Sequence, residues 1–159
     1  MNGLITPLKA LNGFEKIKAA LRKKNSPVLA TGVMDSQKAH LAAGLSDALN
    51  APVLFVAGSE QKAKEAYNDL RFFYRNKTFL FPSKGIVFYG ADVRSVEILK
   101  RRFETLGALI AGERLAVCCS VEALFDRLSP PEVFINSILT VATGDNISIS
   151  ALAEKLYLG

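Results

Sequence analysis

The chain has 159 residues, half of them hydrophobic and 22% charged, with a formal net charge of +5. That length supports one domain with a sizeable core, and no run of about 18 apolar residues exists to cross a membrane. The opening stretch, Met1 to Leu11, lacks a basic segment followed by a long apolar one, so a cytoplasmic protein is expected.

Up to position 24, six basic side chains (Lys9, Lys16, Lys18, Arg22, Lys23, Lys24) stand against Glu15, and the remaining 14 basic and 14 acidic residues cancel. The whole formal charge therefore sits in the first helical segment, where Phe14, Ile17 and Leu21 mark an apolar stripe and the lysines point away from it. Lys16, Lys18, Arg22, Lys23 and Lys24 form a candidate contact for nucleic acid or an acidic partner. A solvated helix face accounts for them more simply. With no aromatic stacking platform beside them, weak and sequence-independent contact to DNA phosphate is the most they offer.

Pro27 to Ala30 reads as a brief strand leading into Thr31-Gly32-Val33-Met34-Asp35-Ser36-Gln37-Lys38-Ala39. This stretch has the layout of a phosphate-binding loop, G-x-x-x-x-G-K-[ST], in which glycine amides close around phosphates, lysine reaches the outer phosphates and a hydroxyl holds Mg²⁺. Gly32 and Lys38 keep their spacing. The second glycine is Gln37, the hydroxyl residue is Ala39, and Asp35 places a negative charge where a polyphosphate would sit. Gly32, Ser36, Gln37, Lys38 and Ala39 are thus the vestige of a nucleotide site, with no cofactor expected in it. A plainer reading makes Gly32 a turn residue and Lys38 a surface lysine.

The loop leads into a helix from about Ser36 to Leu49 with leucines at 41, 45 and 49. Val53 to Ala57 is a second strand, continuous in apolar residues and so expected to be buried on both faces. Ser59 caps the next helix, whose Ala63, Ala66, Tyr67, Leu70 and Phe73 make one apolar side. Beside them, Phe72 and Tyr74 fit either core or a docking surface. Thr78 to Phe81 is a third strand, and Pro82 to Gly90 a loop expected to pack onto the body. Val96, Leu99, Phe103, Leu106 and Ile110 mark a long helix ending at Gly112, with Glu97 and Arg101 paired one turn apart on its outer side. Leu115 to Ser120 is a fourth strand, with Cys118 and Cys119 read as packing residues on opposite faces, because their spacing is not that of a redox pair. The single histidine, His40, argues against a histidine-based metal site. Val121 to Leu128 is a short helix, and Ser129-Pro130-Pro131 a stop. Ile138 to Thr143 reads as a last strand, Gly144-Asp145 as a turn, and Ser148 or Ser150 as the cap of a helix with Leu152, Leu156 and Tyr157. Strands alternating with helices give an α/β class, a parallel sheet covered on both faces by right-handed crossovers.

Taken together, the loop Gly32 to Ala39, the stretches Asn68 to Phe73 with Phe81 to Lys84, Phe88 to Val93 leading to Arg101 to Leu106, and Ser120 to Leu124 with Arg127 to Phe134 resemble the N-terminal, UvrB-like region of the bacterial transcription-repair coupling factors. The resemblance runs from about residue 10 to the last residue. It implies a P-loop NTPase, RecA-like fold of the UvrB type over residues 1–136 with a degenerate loop, then the first strand and helix of an inserted UvrA-interaction domain over 137–159. It also implies that the motor of the full-length family, an ATP-dependent DNA translocase, lies beyond this chain. The family's UvrB-like portion does not turn over ATP. It recruits the nucleotide-excision machinery through UvrA or, docked on the remainder of the coupling factor, helps mask that surface. The UvrA-contacting residues have no matching positions here, and neither a catalytic residue nor a metal is expected. Two other readings stay open: an active nucleotide-binding domain in which Lys38 grips phosphate and Asp35 recruits the metal, and a DNA-contacting module using the basic first helix.

Overall fold

A computed structural model of the chain describes residues 2–84, 92–112 and 114–158. The contacts divide it between Asp126 and Arg127 into two units. The resemblance draws its own boundary after residue 136.

The first unit begins with two helices, α1 (Asn2–Lys9) and α2 (Asn12–Arg22), followed by α3 (Asp35–Leu49). Then come β1 (Val53–Ala57), α4 (Glu60–Tyr74), a short 3₁₀ turn (Arg75–Lys77), β2 (Thr78–Phe81), α5 (Asp92–Ile110), β3 (Ala116–Ser120) and α6 (Val121–Phe125). The three strands form a parallel sheet in the order β1-β3-β2, with helices packed around it. This is the α/β class expected from the alternating pattern.

Because β3 is central, all five of its side chains are buried, and the period-2 alternation sends them to two cores. Cys118 joins Ala39, Ala43, Ala66, Leu70 and Tyr74 beneath α3 and α4. Cys119 joins Phe81, Leu115, Val117 and Ala123, with Leu106 and Ala108 of α5 against them. The two thiols thus face opposite sides as packing residues. Apolar burial on this scale, at roughly 25 cal/mol per Å², is the main driving force that holds α3, α4 and α5 on the sheet.

Local signals account for most element ends. Ser59 Oγ accepts the Lys62 amide at 3.3 Å and starts α4. Gly112 has φ +70°, which ends the α5 segment at low steric cost. Arg101 Nε donates to Glu97 Oε1 at 2.9 Å on the outer side of α5, as the spacing predicts.

Several expectations are corrected. Residues 27–30 form no strand: Val28 is 36% exposed and Leu29 86%, and no neighbouring strand accepts them. Four residues beginning with a proline, which has no N–H to donate, hold a strand only where a sheet edge receives them. Strand β1 is not buried on both faces either. It is an edge strand with Leu54 60% and Val56 41% exposed, because α5 lies against β2 and leaves this end of the sheet open. The opening residues form α1, whose Ile5 is buried. Helix α6 stops at Phe125 instead of Leu128. The loop expected from Pro82 to Gly90 lies mostly outside the described residues.

The second unit holds α7 (Pro131–Asn136) and α8 (Ile149–Leu158). Pro131 begins a helix where a stop was expected, since its fixed φ suits a first helical position and its missing N–H costs nothing there. Residues 138–143 form no strand, and Ile138 and Val141 stand exposed, because no partner strand is at hand. The turn after them does form: the Asp145 amide donates to Ala142 O at 3.1 Å, and the Ala142 amide to Asp145 Oδ2 at 2.7 Å. Among this unit's residues whose side chains are described, none is buried.

Candidate functional site

The degenerate loop lies at the carboxyl end of β1, at the N-terminus of α3. There Asp35 and Lys38 share a cavity of about 360 Å³ with Val56, Ala57 and Gly58 and with Lys62, Glu65 and Asp69 of α4. The place matches that expected for a nucleotide loop, although the strand expected before it does not form.

Each of the substituted residues has a physical role of its own. Gln37 folds its side chain back so that Oε1 accepts the Met34 amide at 3.1 Å, half of a capping box. The Gln37 and Lys38 amides donate to Met34 O at 3.0 and 3.1 Å. Backbone donors that a glycine would leave pointing at phosphate are therefore satisfied within the loop. Gly32 supplies the positive φ, +74°, that turns the chain toward the helix.

Asp35 occupies the space between two lysines. Lys38 Nζ donates to Asp35 Oδ1 at 2.7 Å and Lys62 Nζ to Oδ2 at 3.0 Å. Lys62 also pairs with Glu65 at 3.1 Å. The hydrogen bond from Lys38, with that from Lys62 second, holds the Asp35 carboxyl down to about 2. The hydrogen bond to Asp35 raises Lys62 in turn, and the one from Lys62 lowers Glu65. All of these groups are solvent-exposed, so the network is screened and weak in energy, yet it decides which charges the loop presents.

Ala39 is 1% exposed and packs with Ala43 and Leu70 in the core beneath the sheet. A hydroxyl on this methyl would be buried among apolar groups instead of facing the loop. Ser36 is exposed at the start of α3. As they stand, these residues do not fit a magnesium triphosphate: the amides of Met34, Gln37 and Lys38 are occupied, a carboxylate sits between the two lysines, and the hydroxyl position belongs to the core.

The structure separates the five basic residues of the α2 segment. Lys18 pairs with Glu15, and Arg22 Nη2 donates to Ala48 O at 3.3 Å near the C-terminus of α3. Lys16, Lys23 and Lys24 are exposed, with no side-chain partner among the described residues. His40 is committed to packing: it stacks on Phe73 at 5.4 Å, and its Nε2 lies 2.8 Å from Leu4 O.

A second polar cluster at the carboxyl end of the sheet has no counterpart in the sequence reading. Glu60 Oε1 accepts the Ser83 amide and the Ser120 hydroxyl, both at 2.8 Å. Buried Arg102 donates through Nη1 to Pro82 O and to Asp126 Oδ2, each at 2.7 Å, and lies 4.1 Å from the Phe81 ring centroid. Asp126 Oδ2 also accepts the Lys84 amide at 2.8 Å. Lys62 and Glu65 were missed in the same way. The available signal was topological: in a parallel sheet the N-termini of successive helices meet at one end, so the first turn of α4 belongs beside that of α3.

No family profile matches the chain. The chain is similar to the protein named transcription-repair-coupling factor in Bacillus subtilis (strain 168), 24% identical over 157 residues. It is equally similar to those of Staphylococcus aureus strains USA300 and NCTC 8325, again 24% identical over 157 residues. In each case the match takes in 98% of this chain, which spans 13% of the relative's length. Likeness over nearly its whole length thus agrees with the resemblance to the transcription-repair coupling factors that its loop and helix motifs carry.

Proposed function

We propose that this chain is a non-catalytic module of a transcription-repair coupling factor. In this reading it serves transcription-coupled nucleotide excision repair by recruiting, or by masking, contacts to the excision machinery. The observation that carries the proposal is the closed loop: Gln37 holds the Met34 amide, and Asp35 lies between Lys38 and Lys62. A loop satisfied by its own side chains has little to gain from a phosphate and would lose two ion pairs in taking one. The likeness to coupling factors supplies the cellular setting, with UvrA and the remainder of the coupling factor as partners. Two assays test the proposal. Phosphate release from Mg-ATP by the purified chain should equal the rate without protein, and Lys38→Ala should leave any association with purified UvrA unchanged. Turnover that disappears with Lys38→Ala would instead make the chain an ATPase.

Weak DNA contact is a second reading, favoured only by Lys16, Lys23 and Lys24, which are exposed and have no side-chain partner among the described residues. Its signature is binding that falls steeply with salt and is lost when these three are neutralised.

A further inference from the structure

A cavity of about 630 Å³ lies where the N-terminal turn of α1 meets the C-terminal end of α4, lined by Gly3, Leu4, Arg71, Phe72, Phe73 and Arg75. It is distant in sequence from the degenerate loop, and nothing in the proposed function uses it. Its floor is built from packed groups: Phe73 is held by stacking on His40, whose Nε2 is engaged with Leu4 O. Phe72 stands edge-on to Phe73 at 5.5 Å and is 68% exposed, an unusual exposure for a phenylalanine next to buried core.

The charge at this cavity has one sign. Arg71 lies in the last turn of α4 and Arg75 directly follows the helix, and none of the six lining residues is acidic. Neither guanidinium has an ion-pair partner among the described residues; Arg71 lies 5.5 Å from the Tyr67 ring centroid. Arg75 adopts φ +52°, a conformation costly for any residue with a Cβ and easy for glycine. An arginine kept at such a backbone position points to a use for its side chain, since strain of this kind gathers at functional sites.

We infer that this cavity is a docking site for an acidic peptide segment of a partner protein, with an aliphatic or aromatic anchor seated against Leu4, Phe72 and Phe73 and carboxylates on Arg71 and Arg75. Two guanidinium groups lining one cavity suit a segment that carries more than one carboxylate, since arginine's planar fork favours bidentate carboxylate pairing. Single-stranded nucleic acid is disfavoured by the aromatic geometry. Stacking platforms present several free ring faces along a groove, whereas His40 covers one face of Phe73 and only Phe72 stands open.

The test uses fluorescence anisotropy on the full chain with three probes. These are a short labelled peptide rich in aspartate and glutamate with leucine and phenylalanine anchors at helical spacing, the same peptide with its acids replaced by their amides, and a labelled oligothymidylate. The acidic peptide should bind saturably, with its amide counterpart weaker by about tenfold or more, as expected when charge-assisted pairs are lost. Arg71→Gln with Arg75→Gln, or Phe72→Ala alone, should weaken it by a similar factor while far-ultraviolet circular dichroism stays unchanged. Lys16→Gln with Lys23→Gln should have no effect. Backbone amide shifts of the unmodified protein should move on peptide addition at Gly3, Leu4 and Arg71 to Arg75, which reads the site without any variant. Absence of saturable binding, equal binding of the amide peptide, shifts confined to other regions, or tighter arginine-dependent binding of the oligothymidylate would each overturn the inference.

Discussion

Replacing Arg102 should separate the charge that this residue neutralises from the surface that it covers. Its side chain is 3% exposed and that of its partner Asp126 is 22% exposed. Its Nη1 makes two hydrogen bonds, while Nη2 is buried with no partner among the described residues. Breaking a buried pair by removing one member costs roughly 3–5 kcal/mol, chiefly because the other charge stays desolvated. Asp126 reaches solvent and keeps the Lys84 amide, so Arg102→Ala belongs at the lower end, about 3 kcal/mol. Arg102→Met removes the same charge and the same Nη2 but keeps apolar contact over Phe81, so its net loss should be smaller, about 1–2 kcal/mol. Urea unfolding at neutral pH, followed by far-ultraviolet circular dichroism because the chain has no tryptophan, measures both variants. Losses below about half a kcal/mol in both variants would refute the view that Arg102 anchors the end of β2 through a desolvated charge, and a methionine variant as stable as the unmodified chain would assign the whole effect to covered surface.

Other outcomes follow from the same packing. Cys118 and Cys119 should resist a thiol reagent in the native protein and react only at the rate of global unfolding, because burial pushes the Cys118 thiol up to about 12 and raises that of Cys119; rapid native labelling would contradict their burial. The Asp35 carboxyl, lowered by Lys38 and Lys62 from 3.8 to about 2, favours the folded state at pH above 3.8, and that contribution is lost as pH falls through about 2. Carboxyl NMR shifts should report this titration, and Lys38→Met should raise its midpoint; an unmoved midpoint would contradict the pairing. Ala39→Ser, which restores the hydroxyl of a working loop, should destabilise by about 1 kcal/mol without conferring Mg²⁺ binding, since the side chain lies in the core. Thermal unfolding with and without Mg²⁺ reads both effects.

Much of the fold was legible because periodicity survives without tertiary information. The apolar runs at 53–57, 78–81 and 116–120 became strands, and the helices read between them formed, α4 with its predicted apolar side inward. On α5 the predicted stripe is not the buried face: Val96, Leu99, Phe103 and Ile110 are exposed, and Arg102 and Thr105 are buried; on α3 the buried residues are Ala39, Ala43, Gly44 and Ser46, with the leucines only partly covered. What failed was whatever depends on a neighbour. The segments 27–30 and 138–143 have strand-like composition, but a strand exists only when paired, and neither meets an edge. Leu54 and Val56 looked like the inside of a sheet because an apolar run does not reveal whether a helix covers it. Of the candidate site, Gly32 and Lys38 were readable from spacing alone. The hold of Gln37 on the Met34 amide was not, since a glutamine side chain folds back only once the helix start is fixed. Lys62, Glu60 and Arg102 reach partners outside their own helices across 20 to 60 positions of sequence, distances that no local pattern encodes.

The amide of Met34 offers the most direct test of the closed loop. In an NMR titration of the isotope-labelled chain with ATP and Mg²⁺, the amide resonances of Met34 to Ala39 should stay in place through millimolar nucleotide. Saturable micromolar shifts of those resonances that vanish in Lys38→Ala would show that the loop opens and holds phosphate after all.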